Sequence, residues 1–145
     1  MTDQLSYGSF YFSSSAATTL SSATPAKAAG TTTECVSNGM TVSSSNRITL
    51  DAGQTTRDYE VTVAISVTKA GGGATLGTFH IAKNGTVVTG AMVNRSLANT
   101  SDEGAVALTF QITLAATDYL EIFIETNNGD NLTVESGGMS IQVIG

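Results

Sequence analysis

Apolar and polar residues alternate along the second half of this chain, and this period of two constrains the fold more than any other feature. One run places apolar side chains at Tyr59, Val61, Val63, Ile65 and Val67. Another places them at Val106, Leu108, Phe110, Ile112 and Leu114. Successive side chains of a β-strand leave opposite faces, so such runs build a sheet with one buried face. The pattern predicts an all-β protein.

Turn signals divide the chain into about ten short strands, a spacing typical of a sandwich or barrel. Asn84-Gly85 is the strongest hairpin signal; it pairs Lys83 with Thr86 and puts Ile81 opposite Val88. Residues 94–103 are predicted to form a polar loop, and the last strand is expected near residues 139–144. Residues 1–6 are expected to be a flexible N-terminal arm and residues 7–145 a single domain.

Composition and charge exclude several classes of partner. The formal charge is −6, and the basic residues are scattered, so no basic stripe is available to neutralise the phosphates of a nucleic acid. No apolar run approaches the ~20 residues that span a bilayer, and the N-terminus has no secretory pattern. We expect a protein made in a cytoplasm that binds neither nucleic acid nor membrane.

Reactive side chains form no recognisable constellation. His80 is the only histidine, and one histidine builds neither a typical zinc site nor a triad, so a structural or interface role is expected. The lone Cys35 is interpreted as a small, partly buried hydrophobe. Asp130 follows Asn127-Asn128-Gly129 and is interpreted as a turn residue rather than a calcium ligand. We predict no catalytic, cofactor-binding or metal site, and therefore no enzyme.

Laid out as strands, the chain resembles the C1q/TNF-like jelly-roll proteins found among the structural proteins of tailed bacteriophages. The resemblance is carried by the segments 7–12, 28–32, 59–63, 81–88, and 104–108 running on to 118–122. It implies a jelly-roll β-sandwich of about ten antiparallel strands in two sheets, assembled as a homotrimer of the capsid decoration or head-fibre type. It implies neither catalysis nor a cofactor.

The same resemblance implies a trimer interface. The sheet that holds the first, the long central and the last strand would face the three-fold axis with its non-core side. That side would present Tyr7, Tyr11, Thr62, Ala64, Ser66, Ala105, Ala107, Thr109, Gln111, Ser140 and Gln142. Only 12% of the residues are charged, and sheet faces coated with Thr, Ser and Ala can pack against copies of themselves at little desolvation cost.

The function expected first is that of a bacteriophage virion structural protein: a trimeric decoration protein on the outside of the capsid, made in the host cytoplasm, which stabilises the head. Its partners would be its own copies and the major capsid protein, with Leu5 and Tyr7 as apolar capsid contacts. The alternative is a receptor-binding module of a phage tail or head fibre. An enzyme on a jelly roll, and a cellular C1q/TNF-like signal protein, are the remaining hypotheses.

Overall fold

A computed structural model describes residues 5–100 and 102–145. The described residues form twelve strands and no helix. In chain order they are β1 (Tyr7–Ser15), β2 (Ala17–Thr18), β3 (Ala26–Lys27), β4 (Gly30–Asn38), β5 (Met40–Val42), β6 (Ile48–Leu50), β7 (Arg57–Lys69), β8 (Thr75–Lys83), β9 (Thr86–Leu97), β10 (Glu103–Leu114), β11 (Tyr119–Thr126) and β12 (Leu132–Val143).

Two antiparallel sheets make up a jelly-roll sandwich, as the sequence predicts. The first sheet has the order β10-β7-β12-β1-β4, with the short β2 paired to β12. The second has the order β5-β6-β11-β8-β9, with the short β3 paired to β11. The count exceeds the expected ten because β2 and β3 contribute only two residues each, too few to leave a period in the sequence.

The core lies between the sheets and consists of the residues that alternation assigns to it. On β7, Tyr59, Val61 and Val67 are completely buried. On β11, Leu120, Ile122 and Ile124 are completely buried as well. The intervening side chains of β7 point away from the core. Inward and outward residues can therefore be assigned along the whole strand by alternation.

The hairpin at Asn84-Gly85 has the expected turn but a different register beyond it. Lys83 pairs with Thr86, as predicted, and Asn84 and Gly85 both have positive φ angles, of 52° and 84°. The predicted pairing of Ile81 with Val88 is wrong. The register shifts between His80 and Ala82, because β9 carries extra residues around Gly90, so that Ala82 faces Val87 and His80 faces Met92.

The sequence prediction was wrong at three other strands, once because of polarity and twice because of irregular pairing. The predicted loop 94–103 contains the end of β9, which continues to Leu97 because edge strands expose polar side chains without ending. The last strand begins at Leu132, since a bulge between Val134 and Ser136 interrupts the alternation. On the edge strand β4, Cys35 is exposed rather than partly buried, because the register of β4 against β1 shifts twice.

Candidate subunit interface

All the interface residues predicted from the sequence lie on one surface, the outer side of the first sheet. We call this surface, formed by the outward-facing side chains of β1, β7, β10 and β12, the open face. Each of the predicted residues is exposed or partly exposed there, and their neighbours along the strands point into the core. Tyr7 and Tyr11 are the most prominent, with 39% and 48% of their surfaces exposed.

The strand register arranges the open face in rows that cross the sheet. One row runs from Thr109 through Thr62 and Ser140 to Ser9. The row on one side of it contains Ala107, Ala64, Gly138 and Tyr11. The row on the other side contains Gln111, Glu60, Gln142 and Tyr7. Residues distant in sequence therefore become a continuous surface, because neighbouring strands lie less than 5 Å apart.

The face is hollow where β7, β10 and β12 meet. A depression of about 340 Å³ is lined there by small residues, among them Ala64, Ala107 and Gly137. Gly137 has a φ of 93°, and a Cβ atom on it would come within 2.0 Å of the Ala64 carbonyl oxygen. A Cβ on Gly138 would come within 1.9 Å of the Phe10 carbonyl oxygen. Both positions require glycine, so the absence of side chains here is dictated by the backbone.

Charge on the open face is entirely acidic and confined to the two ends of the strands. At one end lie Asp58, which accepts a hydrogen bond from the Thr113 hydroxyl at 2.6 Å, and Glu60. At the other end lie Glu103 and Glu135, and Glu135 accepts a hydrogen bond from the Thr68 hydroxyl at 2.7 Å. The middle of the face is neutral. Alternation places Glu60 on this face, although it was not among the predicted interface residues.

The predicted capsid contacts lie at the end of the sandwich where β1 begins. Leu5 is 64% exposed, and its carbonyl oxygen accepts a hydrogen bond from the Asn38 side chain at 2.5 Å. Because β1 pairs antiparallel with β12, this end also carries Ile144, which is 47% exposed and was not predicted as a contact. We call the surface formed by Leu5, Tyr7 and Ile144 the apolar end.

Of the predicted arm, residues 1–4 lie outside the described part of the chain. Ser6, the last residue assigned to the arm, is buried. Its hydroxyl donates to the Gln54 side chain at 2.9 Å, and its carbonyl oxygen accepts from the Val143 amide at 3.0 Å. Ser6 is therefore packed into the domain, whereas flexibility of the preceding segment stays a prediction.

The outer side of the second sheet differs in that its charges are paired within the chain. We call it the paired face; it is formed by Lys27, Arg47, His80, Tyr119, Glu121 and Glu125. The Glu121 carboxylate is almost completely buried and lies 2.8 Å from Lys27 and 2.9 Å from Arg47. The Arg47 guanidinium also stacks 3.9 Å above the Tyr119 ring. His80 is buried with its Nε2 2.6 Å from Glu125.

A lysine is buried beneath the loop that follows β7. The Lys69 ammonium donates to the carbonyl oxygens of Gly71 and Gly73 and lies 3.6 Å from Asp130. A hydrogen bond from Thr75, together with the Lys69 charge, lowers the pKa of Asp130 below its ordinary value of 3.8. Asp130 lies in the turn predicted for it, and its contacts with Lys69 and Thr75 connect this turn to the loop between β7 and β8. Two of the three glycines 71–73 are thereby hydrogen-bonded to a buried cation.

Within the described residues, no group of three or more His, Cys, Asp or Glu side chains is arranged to hold a metal ion. The same part of the chain contains no helix with the length and apolarity needed to cross a membrane.

Comparison with known proteins identifies the fold. No protein-family model and no curated protein matches the chain. Among solved structures, it is similar to Eiger TNF from S. frugiperda, with a TM-score of 0.65, 10% identity, and coverage of 99% of this chain and 94% of the other. Murine APRIL follows with a TM-score of 0.58, 10% identity, and coverage of 97% and 99%.

The vertex protein P5 of phage PRD1 is a third similar structure, with a TM-score of 0.51, 13% identity, and coverage of 97% of both chains. At these identities the similarity shows the fold alone. The C1q/TNF-like jelly roll implied by the sequence resemblance is therefore confirmed, and this fold occurs in a virion protein as well as in TNF proteins.

Proposed function

We propose that this chain is a structural protein of a phage virion that assembles as a homotrimer through its open face. The observation that carries the proposal is the composition of that face: a neutral centre of small side chains that extends over four strands. The polar groups of this centre are neutral hydroxyls rather than charges, so covering it costs less desolvation free energy than covering an ionised surface would. Three-fold assembly is what the C1q/TNF-like resemblance implies.

The edge strand next to the open face supports self-association. Leu108, Phe110 and Ile112 of β10 point toward the core but are only partly buried, and no strand in the described part of the chain is hydrogen-bonded to the outer edge of β10. A second subunit against this edge would complete their burial, at about 25 cal/mol for each Å² of apolar surface removed from water. An apolar edge left bare would instead invite uncontrolled association.

Within the virion, we propose that the trimer decorates the outside of the capsid and contacts the major capsid protein through its apolar end. Symmetry supports this assignment, because a three-fold axis places the three copies of Leu5, Tyr7 and Ile144 on the same side of the assembly. Three weak contacts made at once bind tightly by avidity. The fold similarity to the PRD1 vertex protein supports a virion role.

The trimer is tested by the molar mass in solution. Light scattering on a sizing column at micromolar concentration should give three times the mass of the 14.8 kDa chain. A monomer mass at this concentration would reject assembly through the open face.

Capsid binding is tested by co-sedimentation with mature capsids that lack the protein. The test compares the wild type with a deletion of residues 2–5, which spares the buried Ser6, and with Leu5→Ser. Leu76→Ser is the matched control, since Leu76 is an exposed leucine on the second sheet. The deletion and Leu5→Ser should sediment with capsids less than the wild type does, and Leu76→Ser should match the wild type.

Equal sedimentation of all four proteins would reject the apolar end as the contact. Absence of capsid binding by any of them, together with saturable binding to host cells, would favour the alternative function, a receptor-binding module of a tail or head fibre.

A further inference from the structure

Glu60 is an unpaired charge beside the neutral centre of the open face. The register places it directly between Gln111 of β10 and Gln142 of β12. It is already partly buried in the single chain. Its carboxylate makes no hydrogen bond or ion pair with any residue in the described part of the chain, unlike Asp58, which accepts a hydrogen bond from Thr113.

Among the described residues, the side chains that flank Glu60 on the open face carry no positive charge. The flanking strands present Gln111, Thr109 and Thr113 on one side and Gln142, Ser140 and Ile144 on the other, all of them uncharged. Along β7 its outward neighbours are Asp58 and Thr62, so the adjacent charge on this face has the same sign. Arg57, three residues before Glu60, belongs to the other side of the strand by alternation. The next titratable group in its row is Tyr7, which lies beyond Gln142. Every copy brought to this face by symmetry carries the same acidic charge.

We propose that Glu60 regulates assembly, an inference that rests on the proposed trimer: its ionised carboxylate weakens subunit association, and its protonation strengthens it. Covering the face removes water from a carboxylate that has no cationic partner, and desolvation disfavours the charged form of an acid. The assembled state therefore binds protons more readily than the free subunit, and acidification shifts the equilibrium toward trimer. The charge of Glu60 thus lowers the association constant of the open face and keeps trimer formation reversible.

The experiment measures the monomer–trimer equilibrium by analytical ultracentrifugation, at a guanidinium concentration that half-dissociates the wild type. Glu60→Gln removes the charge and keeps the shape. It should tighten association by roughly tenfold for each subunit, because a neutral amide costs less to remove from water than a carboxylate without a cationic partner. The matched control is Asp58→Asn, two residues away on the same strand, whose carboxylate is hydrogen-bonded and exposed.

The pH dependence gives a second readout that a merely structural role would not change. Wild type and Asp58→Asn should associate more tightly at about pH 5 than at about pH 7.5, and Glu60→Gln should lose most of this difference. A trimer in which Glu60→Gln changes neither the association constant nor its pH dependence overturns the regulatory role and leaves the trimer standing. A wild type that stays monomeric under all conditions overturns the trimer itself, and this inference with it.

Discussion

The two outer faces of the sandwich treat their polar groups in opposite ways. On the paired face, the Glu121 carboxylate is bound by two cations, and His80 is held by Glu125, so the chain satisfies its own charges. On the open face, the central strands carry small neutral side chains, and Glu60 has no partner among the described residues. Both faces belong to sheets with the same core between them.

This difference indicates which surface is complete in a single subunit. Ion pairs that are closed within the chain leave little for a partner to add, and they cost free energy when a partner covers them imperfectly. Small neutral side chains around a hollow make few packing contacts within the subunit. They make close contacts when a second surface packs against them. The paired face is therefore suited to solvent, and the open face to another protein.

Ala107→Arg should produce the largest effect, because it puts a long charged side chain into the hollow of the open face. We expect loss of the trimer, since overpacking costs about 1–3 kcal/mol at each of three interfaces, before the cost of burying the charge. Ser96→Arg is the matched control, because Ser96 is exposed on β9 of the second sheet. Light scattering should give a monomer mass for the first variant and a trimer mass for the second; the reverse result would exchange the roles of the two faces.

Glu121→Ala should have the next largest effect, on the folding of the subunit itself. Removing the buried carboxylate leaves the partly exposed Lys27 and Arg47 facing each other without a counter-charge, which should cost about 1–3 kcal/mol. The same substitution at Glu60 should change the stability of the subunit by less than about 0.5 kcal/mol. Guanidinium unfolding of both variants in the monomeric Ala107→Arg background measures the contrast, and equal losses would remove the distinction between the faces.

The stability of the subunit in acid should depend on Asp118, a charge between β10 and β11 that is paired within the chain. Burial raises the pKa of Asp118, but hydrogen bonds from Asn84 and the Ala115 amide, together with the Lys83 charge, lower it by more, to below 3.8. A depressed pKa stabilises the fold above the unfolded value, and this stability is lost as the pH falls below 3.8. Asp118→Asn should remove this loss, which is worth at most about 1 kcal/mol for a partly exposed pair.

The concentration dependence of the acid response identifies its origin. The contribution of Asp118 is internal to one subunit, so it should persist in the monomeric Ala107→Arg background, where the midpoint of acid unfolding should not depend on protein concentration. The response attributed to Glu60 should depend on concentration, because it acts on association. Thermal melts over a hundredfold range of concentration would reveal a mistaken assignment of either group.

Tyr59→Phe should cause the smallest change in the free energy of unfolding, because Tyr59 lies in the core and on neither face. The Tyr59 hydroxyl is buried without a hydrogen-bond partner among the described residues. Removing an unsatisfied polar group is expected to stabilise the subunit by up to about 1 kcal/mol. Because Tyr59 lies in the shared core, the gain should be equal in trimer and monomer; a loss of stability would indicate that its hydroxyl has a partner in solution.

The side of each long strand that faces the core could be assigned from residue alternation alone. Side chains on a strand alternate strictly, so the residues predicted for the open face on β1, β7, β10 and β12 all have their expected orientation. The turn at Asn84-Gly85 could also be predicted from the sequence, because a turn with two positive φ angles accepts few residue types.

Which of these residues become neighbours depends instead on pairing between distant strands. The flanking of Glu60 by two glutamines, and the proximity of Ile144 to Leu5, follow from pairings between strands that are far apart in the chain. The register shifts in the β8–β9 pair and in β12 are defined only by how the strands pair with each other. The ion pairs of Glu121 and the burial of Lys69 depend on the same long-range order. Alternation is a local property of the backbone, whereas register and charge pairing are set by the packing of the whole domain.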